Sequence, residues 1–189
     1  MARTVSQSAQ KAAAEDMVHD LSTMDGVQAE VSVRASGTNP RNTVSVDCSS
    51  ESWRHLAECL RVKHGVDHCS MVTGIHWPEG GPDKNWEVVY HFMRMGISEP
   101  PVIDGMVQPI MTDPSSLRGK EVPLEIEVRV ALPETREPKI ASVQDIWSGA
   151  DWNEKETWDL VGIDFEGHVG MRRVLQPHET PVGLSLIHI

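Results

Sequence analysis

Leu124-Glu-Ile-Glu-Val-Arg-Val-Ala-Leu132 places Leu124, Ile126, Val128, Val130 and Leu132 at alternate positions, with Glu125, Glu127 and Arg129 between them. A two-residue period puts the aliphatic set on one face of an extended chain and the charged set on the other, which predicts a strand buried on one side. Such a face needs helices or a second sheet over it. Upstream, Trp86 to Met95 alternates in the same way, with Trp86, Val88, Tyr90 and Phe92 on one face. The opposite face carries Glu87, Val89, His91, Met93 and Met95, is half apolar, and requires cover from a helix or another chain. Cys69 to Trp77 reads as the preceding strand, joined through Pro78-Glu-Gly-Gly-Pro82, so the two form a hairpin predicted to hold the centre of the sheet.

Towards the N-terminus, Gln28–Arg34 and Thr43–Asp47 alternate on either side of Gly37-Thr-Asn-Pro40 and are predicted to be two further strands. Residues 6–24 combine good helix formers with Met17, Val18 and Leu21 at helical steps, and Asp25-Gly26 stops them. Ser49 or Ser50 can cap a second helix, with Glu51 in its first turn. Trp53, Leu56, Leu60 and His64 then share one face before Gly65. His64 reads as a surface or satisfied side chain. Interleaved strands and helices imply an α+β fold: a mixed, largely antiparallel sheet with helices packed mainly on one face, followed by a C-terminal extension. The expected organisation is an N-terminal helix in 1–26, an α/β sheet domain in 27–149 with a long Pro-rich insertion at 97–123, a signature helix and docking extension in 150–183, and a truncated or non-native tail in 184–189.

The 189 residues carry 17 basic and 28 acidic side chains, for a formal charge of −11. That balance repels nucleic-acid phosphates and anionic lipid surfaces. No apolar run reaches the roughly 18 to 20 residues that span a bilayer, so no membrane span is expected. The start lacks the apolar core of a secretory signal, and Glu15 and Asp16 argue against a transit peptide. Three cysteines, Cys48, Cys59 and Cys69, match no zinc or iron–sulfur spacing. His55, Cys59, His64, His68 and Cys69 do crowd one region, and a zinc hydrolase built on His55, His64, His68 and Cys69 is the alternative from a different functional class. No dinucleotide fingerprint, P-loop, nucleophile elbow or His-Glu-x-x-His pair occurs.

The densest run of functional residue types is Ala150 to Arg173. Asp151 followed by Glu154 resembles a capping box for a helix from Trp152 to about Val161, which Gly162 ends. Trp152, Glu156 and Leu160 fall at i, i+4 and i+8, which places Glu156 within an apolar stripe, and Asp159 lies near it. A buried carboxylate needs a partner, and Arg172 and Arg173 are the nearest suppliers of a bidentate fork. An internal carboxylate–arginine network is the expected outcome. Two functional readings stand beside it: a catalytic cluster of Glu156, Asp159 and His168, or a stiffened segment presenting Arg172 and Arg173 to another protein. Trp147, Trp152 and Trp158, half of the six tryptophans, sit here as core or interface.

Ser142-Val-x-x-x-Trp147, Ala150-x-Trp152, Glu154-Lys155-Glu156, Trp158-Asp159-Leu160, Gly162-Ile163, Phe165, Gly167-His168 and Arg172-Arg173-x-Leu175 closely resemble the signature of the 30-kDa (C-type) subunit of NADH-quinone oxidoreductase, respiratory complex I. The resemblance runs over roughly residues 15–183, with Trp86–Phe92 and Leu124–Pro133 similar to that family's strands. It implies a mixed α/β domain with no catalytic, cofactor-binding or metal-binding residues of its own, while flavin and iron–sulfur clusters lie in partner subunits. It also implies docking to the D-type, quinone-site subunit and to other peripheral-arm subunits on the cytoplasmic side of the cell membrane. The role implied there is support of electron transfer from NADH to quinone, coupled to proton translocation. The implied interface and structural residues are Trp152, Glu154, Lys155, Glu156, Asp159, Gly162, Phe165, Gly167, His168, Arg172 and Arg173. Equivalent subunits of membrane-bound hydrogenases and of the F420-linked dehydrogenase are similar. Lys155 stands where the family has arginine, Trp158 where tyrosine or phenylalanine is usual, and Val169-Gly170 in place of a proline-led turn. Leu184 to Ile189 departs from the family's ending.

Overall fold

A computed structural model describes residues 5–36, 39–79, 85–96, 102–103, 106–107 and 117–179. Helix α1 (Gln7–Leu21) starts at Ser6, whose Oγ accepts the Ala9 N–H at 3.2 Å. This satisfies one of the amides that the first turn leaves unpaired. Its buried residues are Ala13, Ala14, Met17 and Leu21, and it packs on strands β1 (Val27–Ser36) and β2 (Asn39–Ser49). These form an antiparallel hairpin longer than the alternation alone indicates. Helix α2 (Ser50–Val62) follows directly, capped by Ser49, whose Oγ accepts the Ser52 N–H.

Strands β3 (His68–His76), β4 (Trp86–Arg94) and β7 (Leu124–Leu132) complete a five-stranded sheet ordered β1-β2-β7-β4-β3. Within it only β2 and β7 run parallel. The fold is therefore the expected α+β arrangement with a mixed, largely antiparallel sheet. One detail differs: β7, not the β3–β4 hairpin, holds the centre, and β3 forms an edge. The reason lies in β3 itself, where only Cys69 and Val72 are buried, too little apolar surface for an inner strand.

The core fills the helix-covered face. Val44, Val46, Ile126, Val128, Tyr90 and Phe92 are buried there, and the Trp53 ring of α2 stacks on Tyr90 with centroids 4.2 Å apart. Phe92 in turn meets Trp147 at 4.4 Å. Both buried indoles have acceptors: Trp53 Nε1 donates to the Ala141 carbonyl at 3.0 Å and Trp147 Nε1 to the Val66 carbonyl at 2.9 Å. The other face is mixed, as expected: half-buried Ile75, Val89 and Met93 stand there among polar side chains. Glu127 there is 5% exposed along its side chain and pairs with Arg34 and Arg129, with His91 Nε2 at 3.5 Å. Trp77 Nε1 donates to Glu87 at 3.0 Å.

Two short strand pairs and a single turn add to what alternation predicts. Strands β8 (Lys139–Ala141) and β9 (Asp164–Glu166) pair in parallel and tie the chain leaving the last helix to the segment that enters it. At three residues each, they are too short for an alternation to register. Within the 97–123 insertion, β5 (Val102–Ile103) pairs with β6 (Met106–Val107), and a 3-10 turn spans Gly119–Glu121. The buried Arg94 holds this turn, donating to the carbonyls of Val122 (2.9 Å), Gly119 (3.1 Å) and His64 (3.3 Å). Most of the insertion and the 184–189 tail lie outside the described residues.

Candidate functional site

Helix α3 (Ala150–Val161) packs on the β3 edge, on the same side of the sheet as α2. Thr157 Oγ1 donates to the Val72 carbonyl at 3.2 Å. Gly74 allows the approach, since a Cβ there would fall 2.8 Å from Thr157 Cγ2 and 2.9 Å from Ile163 Cδ1. The contact selects small side chains such as Ala150 and Thr157, and it turns Trp152 outward, 61% exposed. Glu156 is consequently exposed and Leu160 only partly buried, so the apolar stripe expected to hold Glu156 is the helix's outer side. The buried carboxylates are Glu154 and Asp159, both 0% exposed.

Nor is there a capping box. Turns at 143–150 lead into the helix, with Trp147 N–H donating to the Val143 carbonyl and Ala150 N–H to the Trp147 carbonyl, each at 2.9 Å. Gly149 already has helical backbone angles, and no side chain caps α3. Glu154 instead points inward: its Oε2 accepts from Ser142 Oγ at 2.6 Å and its Oε1 from the Val143 N–H at 2.9 Å. Asp151 gathers Lys155 Nζ at 2.8 and 2.9 Å and Gln144 Nε2 at 2.8 Å. Lys155 is 7% exposed, with its ammonium 5.6 Å from the centre of the Trp152 ring. Burial pushes the Glu154 carboxyl up to about 7, offset in part by its two hydrogen bonds and reinforced by the charges of Asp145 and Asp151.

The far end of α3 is organised differently. Gly162 closes the helix in the left-handed region (φ 88°), and its N–H donates to the Trp158 carbonyl at 3.0 Å. Phe165, in β9, enters the core at 2% exposed. Gly167, also left-handed (φ 85°), turns the chain so that the His168 ring tucks beneath α3, fully buried. His168 Nε2 lies 3.3 Å from both the Asp151 carbonyl and Oδ1, and 3.9 Å from Glu154 Oε2, whereas its Nδ1 has no partner. Arg173 Nη1 then donates to Asp159 Oδ1 at 2.9 Å. The N–H groups of Val174, Leu175 and Gln176 converge on Asp159 Oδ2 at 3.1, 2.9 and 3.0 Å. Burial alone would raise this carboxyl, but three amides and a guanidinium hold it below the ordinary aspartate range. A carboxylate–arginine network is therefore present, built on Asp159 and Arg173. Arg172 is exposed and makes no ion pair among the described residues.

Glu156, Asp159 and His168 do not assemble: no hydrogen bond or ion pair joins them, and Glu156 faces away. His55, Cys59, His64, His68 and Cys69 form no group able to hold a metal among the described residues. Contrary to expectation His64 is buried, and among the described residues its Nε2 has no hydrogen-bond partner, with Asp20 Oδ2 3.9 Å away. Sequence reasoning misses Gln144 and Asp151 as linkers. Asp151 stands four residues before Lys155, the helical spacing at which such a pair meets. Gln144 also accepts the Val169 N–H at 2.8 Å, which joins the loop to the extension.

Residues 46–185 match the family model for the respiratory-chain NADH dehydrogenase, 30 Kd subunit. The chain belongs to this family. Among relatives of the 30 Kd family, NAD(P)H-quinone oxidoreductase subunit J of Synechococcus sp. (strain CC9902) is 31% identical over 116 residues, 61% of this chain and 52% of that protein. The C-type NADH-quinone oxidoreductase subunit of Xanthomonas campestris pv. campestris (strain B100) is 25% identical over 160 residues, 72% of this chain and 62% of that one. The chain thus spans only 52% and 62% of the length of these two relatives. A C/D-type NADH-quinone oxidoreductase subunit of Gluconacetobacter diazotrophicus is 37% identical over 98 residues, 52% of this chain and 12% of that protein. The fold is shared with a trypsin-resistant fragment of Nqo5 (TM-score 0.51, 22% identity, 82% of this chain and 97% of that one). It is shared too with a chain of an archaeal membrane-bound sulfane sulfur reductase (TM-score 0.56, 18% identity, 87% and 78% covered).

Proposed function

We propose that this chain is a non-catalytic peripheral-arm subunit of NADH-quinone oxidoreductase. In this reading it docks to the quinone-site subunit and supports electron transfer from NADH through iron–sulfur clusters to quinone, coupled to proton translocation. Flavin and clusters belong to partner subunits, and this chain supplies shape. The observation that carries the reading is the C/D-type relative, in which a segment 37% identical to this chain is part of a polypeptide named for two subunits. Fusion of two subunits in one polypeptide favours their sitting close together in the separate form. The outward residues Trp152, Glu156 and Arg172 are the proposed contact groups. Glu154, Lys155, Asp159, Gly162, Phe165, Gly167, His168 and Arg173 set the shape of the surface that presents them.

No helix among the described residues is long and apolar enough to cross a membrane. The proposed place is peripheral, on the cytoplasmic side of the cell membrane, held through partners. Co-expression with a homologue of the quinone-site subunit tests this. The expected result is a colourless chain that elutes with that homologue and has no NADH or quinone reductase activity when purified alone. Bound flavin or a cluster on the isolated chain, or separate elution of the two proteins, would overturn the assignment.

A further inference from the structure

Beneath α3, Glu154 joins the entering loop to the helix and lies beside the C-terminal extension. Its two oxygens hold Ser142 and Val143 of the entering loop, its own backbone belongs to the helix, and the buried His168 ring of the extension lies 3.9 Å from Oε2. Among the described residues, no lysine or arginine bonds to it. The charged and titratable groups around it are Asp145 in the loop, Asp151 and Lys155 on α3, Tyr90 on β4, Cys69 on β3, His168 in the extension and Arg54 on α2. The two permanent cations are engaged elsewhere. Arg54 is spread over Asp145, Glu58 and the Ser142 carbonyl, and Lys155 closes on Asp151. Among the described residues, the Tyr90 hydroxyl and His168 Nδ1 are buried without a hydrogen-bond partner. A carboxylate here faces two neutral donors and two anionic neighbours, whereas a neutral carboxylic acid satisfies the same two contacts without a counter-charge.

We propose that Glu154 is a buried proton-holding site whose protonated form locks the 142–147 loop to α3 beside the His168 turn, and whose ionisation loosens that junction. The protonated Oε2–H donates to Ser142 Oγ, and Oε1 still accepts the Val143 N–H. Loss of the proton leaves a charge that only a shift of the His168 ring or entry of water can compensate. Either change disturbs the start of the extension. The folded carboxyl lies near 7, above its unfolded value of about 4.3, so its contribution is fully present below that unfolded value. It is lost as pH rises from there through about 7, where the folded carboxyl too gives up its proton. The device rests on this chain's own geometry and stands whether or not docking to the quinone-site subunit does.

The test is thermal unfolding of the full chain and of Glu154→Gln between pH 4.5 and 8.5. The amide of Gln donates to Ser142 and accepts from Val143, so it imitates the protonated state. The wild-type midpoint is expected to fall relative to the variant by about 3 to 5 °C per pH unit between pH 5 and 7, and to level off above. Parallel curves would overturn the proposal. Should Glu154→Gln fail to fold, the 13C carboxyl shift of Glu154 in the wild-type chain decides: a transition near neutrality supports the site, and one in the ordinary carboxylate range removes it.

Discussion

The two ends of α3 each bury a carboxylate completely, and the surroundings drive the two in opposite directions. Near the N-terminus Glu154 has a serine hydroxyl and one amide, and its carboxyl rises to about 7. Near the C-terminus Asp159 has a guanidinium and three consecutive amides, and its carboxyl falls below the ordinary range. The helix dipole disfavours an anion in the last turn, where Asp159 sits. Local donors therefore outweigh the dipole. Burial alone does not fix the charge of an acidic group; the number of donors aimed at it does.

Removing the better-served carboxylate breaks the comparison most sharply. Asp159→Ala removes the anion that Arg173 and the Val174–Gln176 amides share, and it is expected to cost about 3 kcal/mol, measured as a lower urea midpoint. Its pH dependence is opposite to that of Glu154. A depressed carboxyl contributes above its unfolded pKa of about 3.9 and loses that contribution as pH falls through the lower folded value. Acid titration should accordingly show a steeper stability loss in the wild type than in Asp159→Ala. A smaller effect comes from the seam that sets the helix's phase. Gly74→Ala forces Thr157 and Ile163 aside and should destabilise by about 2 kcal/mol, read by thermal unfolding. The smallest belongs to the outward face: Glu156→Gln should stay within about 0.5 kcal/mol of wild type in the same assay, while weakening co-purification with the quinone-site homologue if that face is the contact. A large loss of stability would mean that Glu156 is buried after all.

The long strands can be read directly from residue order because their period is two and their buried faces are aliphatic throughout, as in Leu124–Leu132. The start of α2 follows from Ser49, whereas α1 ends at Leu21, short of the expected 24. Helix α3 shows where such reading fails. Its length is evident from Gly162, but its rotation is not, because the buried side is Ala150, Glu154, Thr157 and Asp159, polar in composition, while Trp152 lies outside. Hydrophobicity points the helix the wrong way when the neighbouring strand offers a glycine and demands small atoms. The pairing of Arg173 with an α3 carboxylate is legible in kind; the partner is Asp159 rather than Glu156 because the helix is turned. His168 stands out by residue type, yet its neighbours Asp151 and Gln144 can be found only once Gly167 has folded the chain back.

The stack of Trp53 on Tyr90 has a spectroscopic consequence. Tyr90 is the chain's single tyrosine, and its ring lies 4.2 Å from an indole. Energy absorbed by the phenol passes to the tryptophan before it can be emitted, so the folded chain should show no tyrosine fluorescence. Opening of the core separates the phenol from the indoles around it and lets that emission rise, a label-free optical signal for loss of the aromatic core.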